Sequence, residues 1–195
     1  MASKKHLNGR NKMSESMALD PKIERALISP GEIQNRISEL GRQISKDYDG
    51  QEIILACILK GAVLFASDLC RSITVPQRMD FMAVSSYGDD TQSSGVVKIE
   101  KDLSESIQNK HVLIVEDIID SGLTLSYIQK ILQDREPASI KICVLCNKPS
   151  NLQQHVKVDY CGFVIENEFV VGYGLDFKGY LRNLPYIGVV KKEFR

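Results

Sequence analysis

The chain has 195 residues, 43% of them hydrophobic and 26% charged, and its 25 Lys and Arg balance 25 Asp and Glu. That length suits one domain with a substantial core, and the zero net charge gives no positive field to collect nucleic acid or an anionic membrane surface. No stretch approaches the roughly 18 consecutive apolar residues that a membrane-spanning helix requires.

Residues 1–20, "MASKKHLNGRNKMSESMALD", lack apolar periodicity and carry Lys4, Lys5, Arg10 and Lys12 before the first acid, Glu15. They read as a disordered tail. The segment has no apolar stretch of the kind a secretory signal needs and little arginine for a transit peptide. It is also too short and unpatterned for a DNA-reading helix-turn-helix. From Ser29 the chain becomes regular. "SPGE" offers Ser29 as N-cap, Pro30 at the first helical position and Glu32 to complete a capping box. Ile33, Ile37, Leu40 and Ile44 then recur at helical spacing, with Asn35, Arg36, Glu39 and Gln43 opposite.

"EIILACIL" (52–59) is continuously apolar, as a strand covered on both faces must be. "GAVLFASDLCRSI" after it is long enough for a helix. Strand-like runs recur at 78–86, 111–116 and 139–146, and Leu125, Ile128 and Leu132 give 123–134 a helical stripe. Strands alternating with helices predict an α/β fold with a mostly parallel sheet, whose ligands sit outside the carboxyl ends of the strands. Two segments break the pattern. "SYGDDTQSSG" (86–95) is polar and longer than a median connection, so it is either a surface loop or a lid over a site. Beyond Pro149, short β-type runs and turns predict an extra antiparallel portion beside the sheet.

The five cysteines are an odd number, and Cys57, Cys143, Cys146 and Cys161 fall in strand-like runs, which fits a reducing, cytoplasmic setting. Cys143 and Cys146 form a CxxC that would suit zinc or redox chemistry. On a strand, however, positions three apart face opposite ways, so both read as buried strand cysteines.

"VLIVEDIIDSGLT" (112–124) concentrates chemistry: Glu116, Asp117, Asp120, Gly122 and two hydroxyls fall within the nine residues that follow a buried strand. Glu116 and Asp117 diverge if both stay on the strand, whereas a turn beginning there would aim both at a ligand. Carboxylates only accept hydrogen bonds, which suits sugar hydroxyls and hydrated magnesium. "DSGLT" (120–124) adds a tight bend, hydroxyls and the free N–H groups of a helix start, the parts of a phosphate cradle. Helix capping alone accounts for Ser121 or Thr124, but it uses one acid, not three. The natural ligand for a diol clamp beside a phosphate site is a ribose 5-phosphate.

This stretch resembles the phosphoribosyl pyrophosphate motif of the type I phosphoribosyltransferases. "LKG" (59–61), "SSYG" (85–88), "NKPS" (147–150) and "EFVVGYGLDFKGYLRNLPYIGVV" (168–190) extend the resemblance, in order and spacing, to the bacterial-type 6-oxopurine branch that takes hypoxanthine and guanine. The resemblance implies a twisted, mostly parallel sheet flanked by helices, with a core at about 50–147 and a small hood from about 21–49 and 150–195. It implies that Glu116 and Asp117 bind the ribose hydroxyls directly or through Mg2+. Asp120 would act as base or acid at purine N7, and Ser121, Gly122, Leu123 and Thr124 would cradle the 5-phosphate. Some members carry Lys where Leu123 stands, but backbone N–H groups do the binding in either case. Lys60 and Gly61, with a cis peptide before the lysine, would hold pyrophosphate together with Arg182, and Asp176 would bind a second Mg2+. Ser86 and Tyr87 would belong to a mobile lid. Lys148 would contact the purine 6-oxygen, Phe169 would stack on the base, and Val170 would read the 2-position through its backbone. Without the resemblance, Lys148 is an ordinary turn residue and Phe169 and Val170 are β-rich core. The implied partners are phosphoribosyl pyrophosphate, hypoxanthine and guanine, together with further copies of the chain in a dimer or tetramer; no nucleic acid or membrane is implied.

Overall fold

The computed structural model describes residues 18–86 and 97–195. Most of the expected tail and of the 86–95 segment lies outside them.

Helix α1 (Pro30–Asp47) starts as its sequence dictates. The Ser29 hydroxyl accepts from the Glu32 N–H at 3.3 Å, and the Glu32 carboxylate accepts from the Ser29 N–H at 2.8 Å. Its stripe of Ile33, Ile37, Leu40 and Ile44 is buried. Helix α2 (Val63–Ser72) lies against it, so close that a Cβ on Gly41 would stand 2.5 Å from the Ser72 Cβ.

A six-stranded sheet forms the centre. Strands β2 (Ile53–Leu59), β3 (Gln77–Ser86), β5 (His111–Ile119), β6 (Ser139–Asn147) and β7 (Tyr160–Val164) run parallel, and β4 (Val97–Lys101) pairs antiparallel with β3, in the order β4-β3-β2-β5-β6-β7. Alternate strand residues serve opposite faces. Leu55, Cys57, Leu113, Val115, Cys143 and Leu145 pack with α1 and α2. Ile54, Ala56, Val112, Ile114, Ile142 and Val144 pack with Leu125, Ile128 and Leu132 of α3 (Leu123–Gln133). This two-sided burial explains why these strands are continuously apolar.

The C-terminal portion differs from the expectation of a wholly antiparallel addition. β7 extends the large sheet in parallel, with Tyr160 opposite Cys143 and Phe163 opposite Cys146. Only β8 (Val170–Val171) and β9 (Ile187–Val190) are antiparallel, and they form a second sheet, β1-β9-β8, with β1 (Ile23–Ile28). β1 has no alternation to betray it, since "IERALI" buries only its two ends. All five cysteines are free. Strand alternation places Cys143 and Cys146 on opposite faces, yet both join the α1–α2 cluster. Cys146 is one residue from the end of β6, where the Ile165 N–H donates to the Asn147 carbonyl at 2.9 Å and brings the following chain over that edge.

Candidate active site

The site lies at the carboxyl ends of the central strands. β5 does not stop at Glu116. Its pairing with β6 continues through Ile118 opposite Cys146 and Ile119 opposite Asn147, so no turn redirects the two neighbouring acids. They line different cavities instead. Glu116 joins Asp120, Ser121, Gly122 and Thr124 around one of about 120 Å³, and Asp117 joins Asp120, Lys148, Phe169, Val170 and Asp176 around another of about 220 Å³. Asp120, in the turn after β5, borders both.

The first cavity has the parts of an anion site. Gly122 is the N-cap of α3 with φ +78° and supplies no side-chain cap of its own, so the first-turn N–H groups beyond that of Leu123 are left for a ligand. Capping is therefore not what the acids of this stretch do. The positive φ favours glycine, and a Cβ there would also stand 2.5 Å from the Gln154 carbonyl oxygen. Ser121 and Thr124 line the cavity. Leu123 opens α3 and its N–H donates to the Ser121 hydroxyl at 3.4 Å.

In the second cavity, Lys148 is 6% exposed and its Nζ stands 3.6 Å from Asp120 Oδ2. Its N–H donates to the Ile119 carbonyl at 3.0 Å, which seats the lysine directly beside the end of β5. Phe169 remains 39% exposed and meets Phe177 edge to face at 5.5 Å. Val170 starts β8 opposite Val189. Asp176 is engaged from both sides, by Arg182 at 2.7 Å and by the Gly179 N–H at 2.6 Å, while Arg182 also donates to the Gly174 carbonyl at 2.6 Å.

The Leu59–Lys60 peptide is cis. Beyond it, Gly61 is wedged between two parts of the site. A Cβ on Gly61 would fall 1.6 Å from Asp117 Oδ2, and one on Gly174 would fall 2.0 Å from the Gly61 carbonyl oxygen. The Lys60–Gly61 turn therefore touches both β5 and the C-terminal loop. Tyr173 anchors that loop from outside through a hydroxyl donated to Asp68 of α2, which also accepts from Gln34 of α1 at 3.0 Å. Of the expected lid, Ser86 ends β3 opposite Val97, and Tyr87 lies outside the described residues.

The Glu116 and Asp117 carboxyls are sunk beneath the surface although the residues are not fully covered. Burial first, and then the Asp117 charge, holds Glu116 well above the ordinary carboxylate range. Burial also raises Asp117, against the opposing pull of its hydrogen bonds and of the Arg182 charge. Among the described residues no three His, Cys, Asp or Glu are grouped to hold a metal unaided, so Glu116, Asp117 and Asp176 do not form a ready cage. Mg2+ characteristically takes one or two carboxylates and completes its shell with substrate phosphates and water. Two poorly solvated carboxylates beside an uncapped helix start that suits an anion fit that habit.

The sequence did not point to residues 151–154, just beyond "NKPS". Pro149–Asn151 form a short 3₁₀ turn, and the N–H groups of Gln153 and Gln154 donate to the Ser121 carbonyl at 2.9 and 3.1 Å. Asn151 reaches Asp120. Only its closeness in sequence to "NKPS" hinted at such a role.

The mostly parallel sheet, the uncapped start of α3 and the neighbouring acids near the end of β5 fit a phosphoribosyltransferase, and the chain belongs to that family: the phosphoribosyl transferase domain matches residues 29–178. More particularly, the chain is 51% identical over 174 residues to the hypoxanthine-guanine phosphoribosyltransferase of Mycobacterium tuberculosis, covering 86% of each chain. It is 48% identical over 175 residues to that of Streptococcus pneumoniae, covering 90% of this chain and 97% of the relative. The crystal structure of a hypoxanthine phosphoribosyltransferase from Staphylococcus aureus matches with a TM-score of 0.86 at 46% identity, covering 89% of this chain and 94% of the other.

Proposed function

We propose that the protein transfers ribose 5-phosphate from phosphoribosyl pyrophosphate to N9 of hypoxanthine or guanine, giving IMP or GMP and pyrophosphate in purine salvage. The observation that carries this reading is the pairing of Lys148 with Asp120, 3.6 Å apart, on the wall of the cavity that also holds Phe169 and Val170. An ammonium donates and never accepts, so Lys148 favours a purine with a 6-carbonyl over adenine with its 6-amino group. Stacking on Phe169 and a backbone contact at Val170 place N9 toward the ribose.

In the reaction the bond from C1 of the ribose to pyrophosphate breaks and the bond to N9 forms, with positive charge developing at C1. Asp120 takes the N7 proton as N9 bonds to carbon, so the purine leaves as a neutral base within the nucleotide. The first-turn N–H groups of α3, with Ser121, Gly122, Leu123 and Thr124, hold the 5-phosphate, and Lys60, Gly61 and Arg182 hold the departing pyrophosphate. Positioning and electrostatics of this kind supply most of the catalysis expected for such a transfer. Glu116, Asp117 and Asp176 would hold Mg2+ together with substrate oxygens; when bound, Mg2+ offsets the charge of the pyrophosphate. Ser86 and Tyr87 are assigned to a lid that excludes water. A homo-oligomer, dimer or tetramer, in a cytoplasmic compartment follows the family precedent, and the free cysteines suit that setting.

The test is stoichiometric. With Mg2+, phosphoribosyl pyrophosphate and hypoxanthine, one pyrophosphate should appear per IMP, and chelation of the metal should stop both. Pyrophosphate release that does not depend on purine, or tight sugar binding without any turnover, would count against the transferase.

A further inference from the structure

Asp120 is held by a residue that the proposed chemistry does not use. The Asn151 amide donates to Asp120 Oδ1 at 2.8 Å and to Asn167 Oδ1 at 2.7 Å. An ionised carboxylate only accepts, so the Asn151 NH2 must face it. Both amide hydrogens are then spent, and Asn167 must present its oxygen. The other carboxylate oxygen, Oδ2, is left on the Lys148 side. Asn151 also touches the rest of the purine wall: its own N–H donates to the Lys148 carbonyl at 3.2 Å, and Asn167 stands two residues before Phe169. The next two N–H groups but one, from Gln153 and Gln154, fasten the same segment to Ser121 of the phosphate loop.

We propose that Asn151 is a positioning residue for the transfer: it ties down Oδ1 of Asp120, so that Oδ2 points at the purine, and through Asn167 it fixes the distance from Asp120 to the segment that carries Phe169. The assignment rests on the reading of Asp120 as the base at N7. It does not depend on bulk, since the donor direction is set by two acceptors. A side chain of the same size that accepts, as in Asn151→Asp, meets two acceptors and repels the carboxylate, while Asn151→Leu merely releases it.

The experiment measures kcat, both KM values and the melting temperature for Asn151→Leu, Asn151→Asp, Asn167→Leu and Asn167→Asp beside the parent and Asp120→Asn. Losing one hydrogen bond to a charged group corresponds to a drop on the order of tenfold or more. Asn151→Leu should therefore lower kcat about tenfold, and Asn151→Asp further, with KM for phosphoribosyl pyrophosphate within about twofold and the melting temperature nearly unchanged because the contact is exposed. Asn167→Asp keeps an acceptor toward Asn151 and should lose less than Asn167→Leu. If Asp120→Asn cripples turnover while both Asn151 variants match the parent, the positioning role is overturned and the base stands. Equal falls in kcat and melting temperature, indifferent to which residue replaces Asn151, would make the contact structural and overturn the role as well. If Asp120→Asn turns over like the parent, the reading of Asp120 falls and this assignment falls with it.

Discussion

Asp117 fills the space that a side chain on Gly61 would need: a Cβ at Gly61 would lie 1.6 Å from Asp117 Oδ2. The end of β2 and the end of β5 are thus fitted to each other at the point where pyrophosphate and ribose are proposed to meet. Gly61→Ala must push either the Lys60 turn or the Asp117 carboxylate aside. Displacements of about 1 Å in a site cost on the order of 100-fold in rate, so kcat should drop by about that factor. Steady-state turnover beside a melting curve checks it, and full turnover would mean that the fit at Gly61 does not govern the site.

Lys148 is nearly buried, and its Nζ stands 3.6 Å from Asp120 Oδ2, beyond direct hydrogen-bonding range, an arrangement that stability alone does not favour. If it reads the purine 6-oxygen, Lys148→Ala should raise KM for hypoxanthine and guanine about 10- to 100-fold, leave KM for phosphoribosyl pyrophosphate nearly unchanged, and narrow the gap to adenine. Kinetics with each purine varied separately read this directly; equal rises for sugar and purine would recast Lys148 as a scaffold residue.

For Asp120→Asn, which keeps shape and removes the proposed base, turnover should fall at least about 100-fold with phosphoribosyl pyrophosphate affinity within a few-fold. Calorimetric binding set beside single-turnover rates separates the two. A matching loss of affinity would make Asp120 a binding residue.

The parts of this fold written in local pattern were legible in the sequence. The capping box at Ser29, the stripe from Ile33 to Ile44 and the two-faced strands at 53–59 and 111–116 each follow from a period or a cap, and the chemistry of "VLIVEDIIDSGLT" was visible because so many acceptors crowd one strand end. What stayed hidden depends on pairing at a distance. β1 is a short edge strand with little alternation, β4 is an edge strand of only five residues, and β7 looks like its antiparallel neighbours until Tyr160 is placed opposite Cys143. The extension of β5 to Ile119 rests on its register with β6, and that register decided between the two alternatives for Glu116 and Asp117: both stay on the strand and diverge into two cavities. Asn151 meets Asp120 across 31 positions of chain, and nothing local marks an asparagine in a turn.

The same buried acids make stability depend on pH in a definite direction. Glu116 has its folded pKa raised above 4.5 by burial and by Asp117. The folded state then holds that proton more tightly than the unfolded chain, so stability is fully present below 4.5 and declines as pH rises from there through the raised folded value. Without divalent ions, the melting temperature should fall across that window. Glu116→Gln should flatten the fall and raise the melting temperature near neutrality by about 2–4 °C, while lowering turnover. Melting curves between acid and neutral pH decide it, and an unchanged slope in the variant would place the titration elsewhere.

The central claim is that this site builds nucleotides from 6-oxopurines, and the most direct measurement offers the purified protein phosphoribosyl pyrophosphate and Mg2+ with hypoxanthine, guanine or adenine in parallel and quantifies the nucleotide formed. The account predicts IMP and GMP with no AMP above background. AMP formed at a comparable rate, or no nucleotide from any of the three, would contradict it.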